Sequence, residues 1–215
     1  MIGTHSYKFS YFDVRALGEP IRLLFHYVGQ PFQDERVDRN EWNEDWSKDR
    51  TGNKECEWNQ NRKAKTPFGK LPLLEVDGGK VVITQSSAIA RFIAEKNGLA
   101  GKDDVERARV NELQDVYKDF FVAAINYLAV KFTNRRGDAD VLYKDVFLPA
   151  LNHFLPIWNK ILEQSKSGFL VESGVTYGVE PKLLAKHNEL CKYVKKVYEL
   201  PGIKGYVENR EHKCI

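Results

Sequence analysis

Few cysteines, no long apolar run and almost no charge imbalance mark this chain, and each shortage excludes something. Three cysteines (Cys56, Cys191 and Cys214) stand far apart in 215 residues. There is no Cys-x-x-Cys and no histidine pair at metal-ligand spacing, so neither a disulfide framework nor a zinc site is expected. The odd, scattered count points instead to free thiols in a reducing compartment. No apolar run approaches the ~20 residues that span a bilayer. Met1 to His5 carries no apolar core of a signal peptide, and Cys214, next to last, does not form a prenylation box. The expectation is a cytoplasmic protein with no membrane partner. Lys and Arg number 33 against 30 Asp and Glu, a formal net charge of +3, and they are spread along the chain. Without a basic stripe or a recognisable binding motif, no nucleic-acid partner is expected. What remains is an ordinary globular composition, 42% hydrophobic and 29% charged, at a length that suits one large domain or two small ones.

Local patterns divide the chain in two. Tyr7, Phe9 and Tyr11 alternate with Lys8, Ser10 and Phe12, which predicts a strand. Glu19-Pro20 opens a helix, because proline in a first turn removes an N–H that has no intrahelical partner. Its expected apolar stripe is Ile21, Leu24, Phe25 and Val28, and Gly29 ends it. Phe32 to Val37 is a weaker strand. Leu73–Val76 and Val81–Ile83 predict a hairpin about Asp77-Gly78-Gly79. Ser86 is the expected cap of a helix with the stripe Ile89, Phe92 and Ile93. The order is β-α-β, then β-β-α. After Asn97-Gly98 only helical patterns follow. Asp103-Asp104 begins a long helix to about Val130, with acidic residues at its positive end. A second runs from Val141 to about Glu163. A third runs from Pro181 to Glu199 through Leu183, Leu184, His187, Leu190, Cys191, Val194 and Val197, and a short helix follows Pro201-Gly202. The expected domains are 5–98 and 103–215.

The stretch from Pro67 to Glu95 reads as a binding site. Leu71-Pro72 is an X-Pro bond just before a strand, where a cis peptide would expose the backbone N–H and C=O of Leu71 to an extended ligand. Gln85-Ser86 stands at a strand-to-helix junction, where free N–H groups and the helix dipole attract a carboxylate. An edge beside an anion hole suits a small, acidic, peptide-like ligand.

The element order, with Ser10-Tyr11-Phe12, Leu71-Pro72 and Gln85-Ser86 at those places, resembles the cytosolic glutathione transferases. The phrases Tyr11-Phe12-Asp13-Val14-Arg15-Ala16-Leu17-Gly18-Glu19-Pro20-Ile21-Arg22 and Pro67-Phe68-Gly69-Lys70-Leu71-Pro72-Leu73-Leu74-Glu75-Val76-Asp77-Gly78 are similar to the sigma class, which includes glutathione-dependent prostaglandin D synthases. The resemblance implies an α/β plus all-α protein: a thioredoxin-like N-terminal domain (βαβ-ββα) followed by a helical domain. It implies a homodimeric enzyme that conjugates the glutathione thiolate to small electrophilic or lipid-like substrates, with isomerase or peroxidase side activity and no cofactor beyond glutathione as substrate. Tyr11 would be the catalytic residue, its hydroxyl donating to the glutathione sulfur. A free thiol titrates at about 8.5, and such a donor with a helix N-terminus brings that value toward neutrality. Leu71, with Pro72, would pair with the cysteinyl backbone as an added strand. Gln85 and Ser86 would hold the γ-glutamyl carboxylate, and Lys70 would add a polar contact. Asp119 would reach across the dimer interface toward the γ-glutamyl amine. Arg15 is open between an ion-pair and a site role. Leu17 stands where several relatives carry an arginine that supports the thiolate. The rival reading is a non-catalytic relative, crystallin-like or truncated.

The chain departs from that family in two places. Glu41-Trp42-Asn43 returns as Glu57-Trp58-Asn59, and the polar residues between, about 44–61 in all, read as an insertion. Spacing to Pro72 favours Trp58 over Trp42, with Lys63, as the pair at the glycyl end of glutathione. Later, Phe169-Leu170-Val171 leads through Thr176-Tyr177-Gly178 to Val179-Glu180-Pro181, where relatives continue into an apolar core helix. The helical domain is therefore expected to lack one core helix near 178–181.

Overall fold

The computed structural model describes residues 5–37, 66–132, 135–170 and 187–210. The insertion at 44–61, Trp42, Trp58, Lys63 and the proposed helix loss near 178–181 all lie outside the described residues. The described chain divides into two compact units: one runs to Ile93 and takes in Asn209 and Arg210, and the other runs from Ala94 to Glu208.

In the first unit, β1 (Tyr7–Phe12), α1 (Glu19–Tyr27), β2 (Gln33–Val37), β3 (Leu73–Val76), β4 (Val81–Thr84) and α2 (Ser86–Lys96) follow in that order. The sheet is mixed, in the order β2-β1-β3-β4. The β1–β2 pair is parallel, as a helical crossover requires, and β1–β3 and β3–β4 are antiparallel. Strand β1 is central, which explains why its alternation is incomplete: Phe9, Ser10 and Tyr11 are all buried. Phe9, Ile21, Phe25, Leu74, Ile89 and Ile93 form the core beneath it. The hairpin turns where expected, with positive φ at both Asp77 (52°) and Gly78 (69°). Gly79 follows at +88°, so the four-residue connection between Val76 and Val81 turns on three successive residues at positive φ. Asp77 also closes the sheet end by accepting from the Ser6 N–H (3.0 Å) and pairing with His5 (2.7 Å).

Two expectations in this unit are corrected. The buried face of α1 is Glu19, Ile21, Arg22, Leu23 and Phe25, while Leu24 and Val28 are only half-buried. Ion-pair partners within the unit let Arg22 and Glu19 enter the interior and rotate the stripe toward them. Ser86 is the first residue of α2 and not its cap. The Ile89 N–H bonds to the Gln85 carbonyl at 3.0 Å, which puts Gln85 in the capping place.

The second unit is helical. The α3 helix (Asp104–Phe132) is held at its start by a reciprocal pair. Asp103 Oδ1 accepts the Glu106 N–H, and Glu106 Oε2 accepts the Lys102 N–H, both at 2.8 Å. The single helix expected from Val141 is instead α4 (Ala139–Leu142), a π turn (Tyr143–Phe147) and α5 (Leu148–Gln164). Asp138 caps the start through the N–H groups of Asp140 and Val141, earlier than the apolar pattern indicates. Pro156 inside α5 leaves one backbone carbonyl without its helical donor. Of the third expected helix, Asn188–Tyr198 is described as α6, with His187 in the capping place, and 181–186 lie outside the described residues. The short α7 (Ile203–Asn209) follows Pro201-Gly202 as predicted. Phe120, Trp158, Leu162, Leu190, Tyr193, Val194 and Val197 are among the residues buried here, with Phe120 edge-on to Trp158 at 5.4 Å.

Candidate active site

Strand register gathers the expected site residues of the first unit at one end of the sheet. Ser10 stands opposite Leu73, and Leu73 stands opposite Thr84. The next position along is therefore Tyr11 on β1, Pro72 before β3 and Gln85 after β4. This end holds the C-terminal ends of the parallel pair β1–β2, the edge of an α/β sheet where loops are free to bind ligands.

Each of the three carries a local peculiarity of backbone or packing. The Leu71–Pro72 peptide is cis, and the β1–β3 ladder ends at Leu73, so Leu71 lies outside it. Pro72 is buried, Leu71 half-buried and Lys70 exposed. Gln85 has φ +72°, a conformation rare for a residue with a Cβ, and is exposed. It bends the chain so that α2 starts at half-buried Ser86, with the first-turn N–H groups of the helix at the sheet end. A helix N-terminus of this kind favours an anion.

Tyr11 is only 5% exposed. Its ring packs at 5.5 Å from that of Phe12, at 6.4 Å from that of Phe9, and directly on Gly18, where a Cβ would stand 2.3 Å from Tyr11 Cδ1. The ring is thus a packing element whether or not its hydroxyl has a chemical role. The guanidinium of Arg22, fully buried, lies 5.9 Å from the Tyr11 ring centre and 5.6 Å from that of Phe9. Its nitrogens donate to the Val14 carbonyl (2.9 Å), the Phe12 carbonyl (3.3 Å) and both oxygens of Asp34 (3.1 and 3.2 Å). The Glu19 carboxylate stands 3.5 Å away and also pairs with Arg210. Arg36 completes the set by bridging Asp34 (2.7 Å) and Asp13 (3.3 Å). None of this network was singled out from the sequence. The signal was a Glu and an Arg three apart inside an apolar helix pattern.

Other expected residues are placed differently. Asp119 is exposed on α3, and the described chain supplies no partner copy for it to reach. Phe120, next to it on α3, is buried core. The helical unit holds a cavity of about 660 Å³ between the first half of α3 and the second half of α5. Leu113, Val116, Ile157, Trp158 and Ile161 are among its apolar lining residues. Among the described residues no acidic, histidine or cysteine cluster could hold a metal, and no helix is long and apolar enough to cross a membrane. Burial and then the Asp77 carboxylate push the Tyr7 phenol upward, and burial lowers the His26 imidazole.

A mixed βαβ-ββα sheet with a cis X-Pro at its ligand edge, followed in the chain by a helical unit, defines a thioredoxin-like domain with a helical C-terminal domain. Residues 18–96 match the model of the glutathione S-transferase N-terminal domain. The chain is 37% identical to glutathione S-transferase 1 of Ascaris suum over 95% of its own length and 96% of the relative's. Among solved structures, the monomeric Na-GST-3 of the hookworm Necator americanus is 34% identical at TM-score 0.79, covering 96% of this chain and 98% of that one. A Nu-class transferase from Haemonchus contortus is 35% identical at TM-score 0.78, covering 98% and 100%. The prostaglandin synthase D of Nilaparvata lugens is 26% identical at TM-score 0.76, covering 96% and 99%. The chain belongs to the glutathione S-transferase family, and as a member over nearly its whole length it is a transferase enzyme.

Proposed function

We propose that this transferase binds glutathione at the sheet end defined by Tyr11, Leu71-Pro72 and Gln85-Ser86 and delivers its thiolate to small electrophiles. The observation that carries the reading is the register, which brings a phenol, a cis-Pro edge and a helix N-terminus to one end of one sheet. The backbone of Leu71 pairs with the cysteinyl residue, and Gln85 with Ser86 and the first turn of α2 takes the γ-glutamyl carboxylate. Lys70, Trp58 and Lys63 serve the polar and glycyl parts of the tripeptide. The Tyr11 hydroxyl donates to the sulfur and so favours thiolate over thiol, and the thiolate attacks the electrophilic carbon of the acceptor. No cofactor is needed, since glutathione supplies the nucleophile.

In the same reading the enzyme is cytoplasmic, acts in detoxification, carries isomerase or peroxidase side activity on lipid-like substrates, and stands near the sigma class. The likeness to a prostaglandin D synthase supports that class, and the likeness to a Nu-class enzyme supports a neighbouring one. It acts as a homodimer, with Asp119 serving the partner's glutathione. Phe68, 67% exposed, is an apolar side chain that a second copy would cover.

The test is capture on glutathione-agarose together with turnover of chlorodinitrobenzene. Tyr11→Phe is expected to lower turnover at least about tenfold, the size of a lost transition-state hydrogen bond, while glutathione binding persists. Equal turnover in the variant would remove Tyr11 from the mechanism. Failure of the wild-type chain to bind or turn over would favour the non-catalytic relative.

A further inference from the structure

We propose that Arg22 is the positioning residue of the catalytic turn, and that Arg210, near the end of the chain, sets Arg22 through Glu19. The proposal rests on the catalytic reading of Tyr11 given above. Tyr11 is the next-to-last residue of β1; the ladder to β2 ends one residue later at Phe12, and the turn beyond needs a fixture besides the Val14 N–H bond to the Phe12 carbonyl (2.7 Å). Arg22 supplies that fixture: one guanidinium holds the carbonyls of both Phe12 and Val14 and lies over the Tyr11 ring. It reaches these acceptors from α1, across the turn, and it is fully buried, so water cannot replace it.

A guanidinium is suited to this place. Its planar fork can satisfy two carbonyls and a carboxylate together, whereas an ammonium acts as a single point charge. Its direction is set from two sides. Asp34 on β2 accepts from Nε, and Glu19 faces Nη1 one turn earlier on α1. Arg22 holds one oxygen of the Glu19 carboxylate. Arg210 fixes it by pairing with its other oxygen, and both side chains are about nine-tenths buried (Arg210 9% and Glu19 10% exposed). The cluster carries Arg22, Arg210 and Arg36 with Glu19, Asp34 and Asp13, and His26 stands near Asp34 and Glu19. Charges of both signs surround the guanidinium, and the proposed effect on Tyr11 is one of geometry. A carbonyl pair released from Arg22 lets the turn, and the phenol with it, drift from the sulfur.

The experiment uses the full chain as wild type, Arg22→Lys, Arg210→Met and Arg210→Lys. It reads kcat and KM for glutathione with chlorodinitrobenzene, and the pH titration of the ultraviolet thiolate band of bound glutathione. Circular dichroism and urea melts report the folded fraction, so that Arg210→Met decides the matter even if Arg22→Lys does not fold. For the folded fraction, kcat is expected to fall about tenfold or more in Arg22→Lys and several-fold in Arg210→Met, the range for misplacement of a reacting group. The thiolate titration should move to higher pH in both, KM for glutathione should hold within about twofold, and Arg210→Lys should recover most of the loss. Folded Arg210→Met with wild-type kcat and thiolate titration would overturn the proposal, as would losses that follow only the folded fraction. A wild-type chain with no thiolate band would overturn the catalytic reading itself, a result visible before any variant is compared.

Discussion

At Tyr11 two demands meet in one side chain: its ring is buried against Phe9, Phe12, Gly18 and Arg22, and its hydroxyl is assigned to a thiol. On the proposed function, core packing and catalysis are not alternatives, since burial of the ring fixes the phenol. The burial of Arg22 beside it is stable only because every partner is present. Removing one member of a buried ion pair costs ~3–5 kcal/mol, a large part of a domain's ~5–15 kcal/mol. The strand position of Tyr11 was legible from its alternating neighbours. The burial of Arg22 was not singled out, although Glu19 and Arg22 three apart in an apolar helix pattern signalled it, because its acceptors come from the turn at Phe12 and Val14 and from β2. His26 on α1 gives a pH dependence at this scale. Burial, acting against the Asp34 and Glu19 carboxylates, holds its imidazole below the ordinary value of about 6.5. The unfolded chain then binds more protons than the folded one just below that pH, so stability falls as pH drops through this window. Urea melts between about pH 7 and pH 5 should show that slope, and His26→Gln should flatten it. An unchanged slope would place its origin elsewhere.

Elements were legible where periodicity is local and their ends were not where the cause is a dihedral. The succession of elements, the hairpin and the long helix from Asp103-Asp104 follow from alternation, turn residues and acidic N-terminal residues, whereas the sheet order β2-β1-β3-β4 does not. The cap of α2 was misplaced by one residue because the positive φ of Gln85 has no signature in the sequence. The helix expected from Val141 starts earlier and contains a π turn, because Asp138 captures the free N–H groups of Asp140 and Val141. Ala16, between β1 and α1, is a further case: it holds φ +30°, where a Cβ is disfavoured. Ala16→Gly is expected to raise stability by up to about 1 kcal/mol, because ~1–2 kcal/mol of backbone strain is relieved against ~0.4–1 kcal/mol of added chain entropy. The midpoint of a urea melt reads this directly, and a lower midpoint would show that the turn is not strained by the side chain.

For the whole molecule, the described chain forms two units, each with its own buried set: Phe9, Phe25, Leu74 and Ile89 in one, Trp158, Leu162, Tyr193 and Val197 in the other. The class of fold was legible because both halves announce themselves, the first by alternation and turn chemistry and the second by unbroken helical spacing. The Leu71-Pro72 edge before β3 and the strand-to-helix junction at Gln85-Ser86 were legible as short backbone motifs. The glycyl end, assigned to Trp58 and Lys63, rests on spacing across residues outside the described structure. On the proposed function, the chain holds glutathione as a thiolate at the Tyr11 end of the sheet. Ultraviolet titration of glutathione bound to the purified wild-type chain tests this directly. The bound thiol is expected to ionise well below the free value of about 8.5, near or under neutrality. A bound thiol that titrates like the free tripeptide would contradict it.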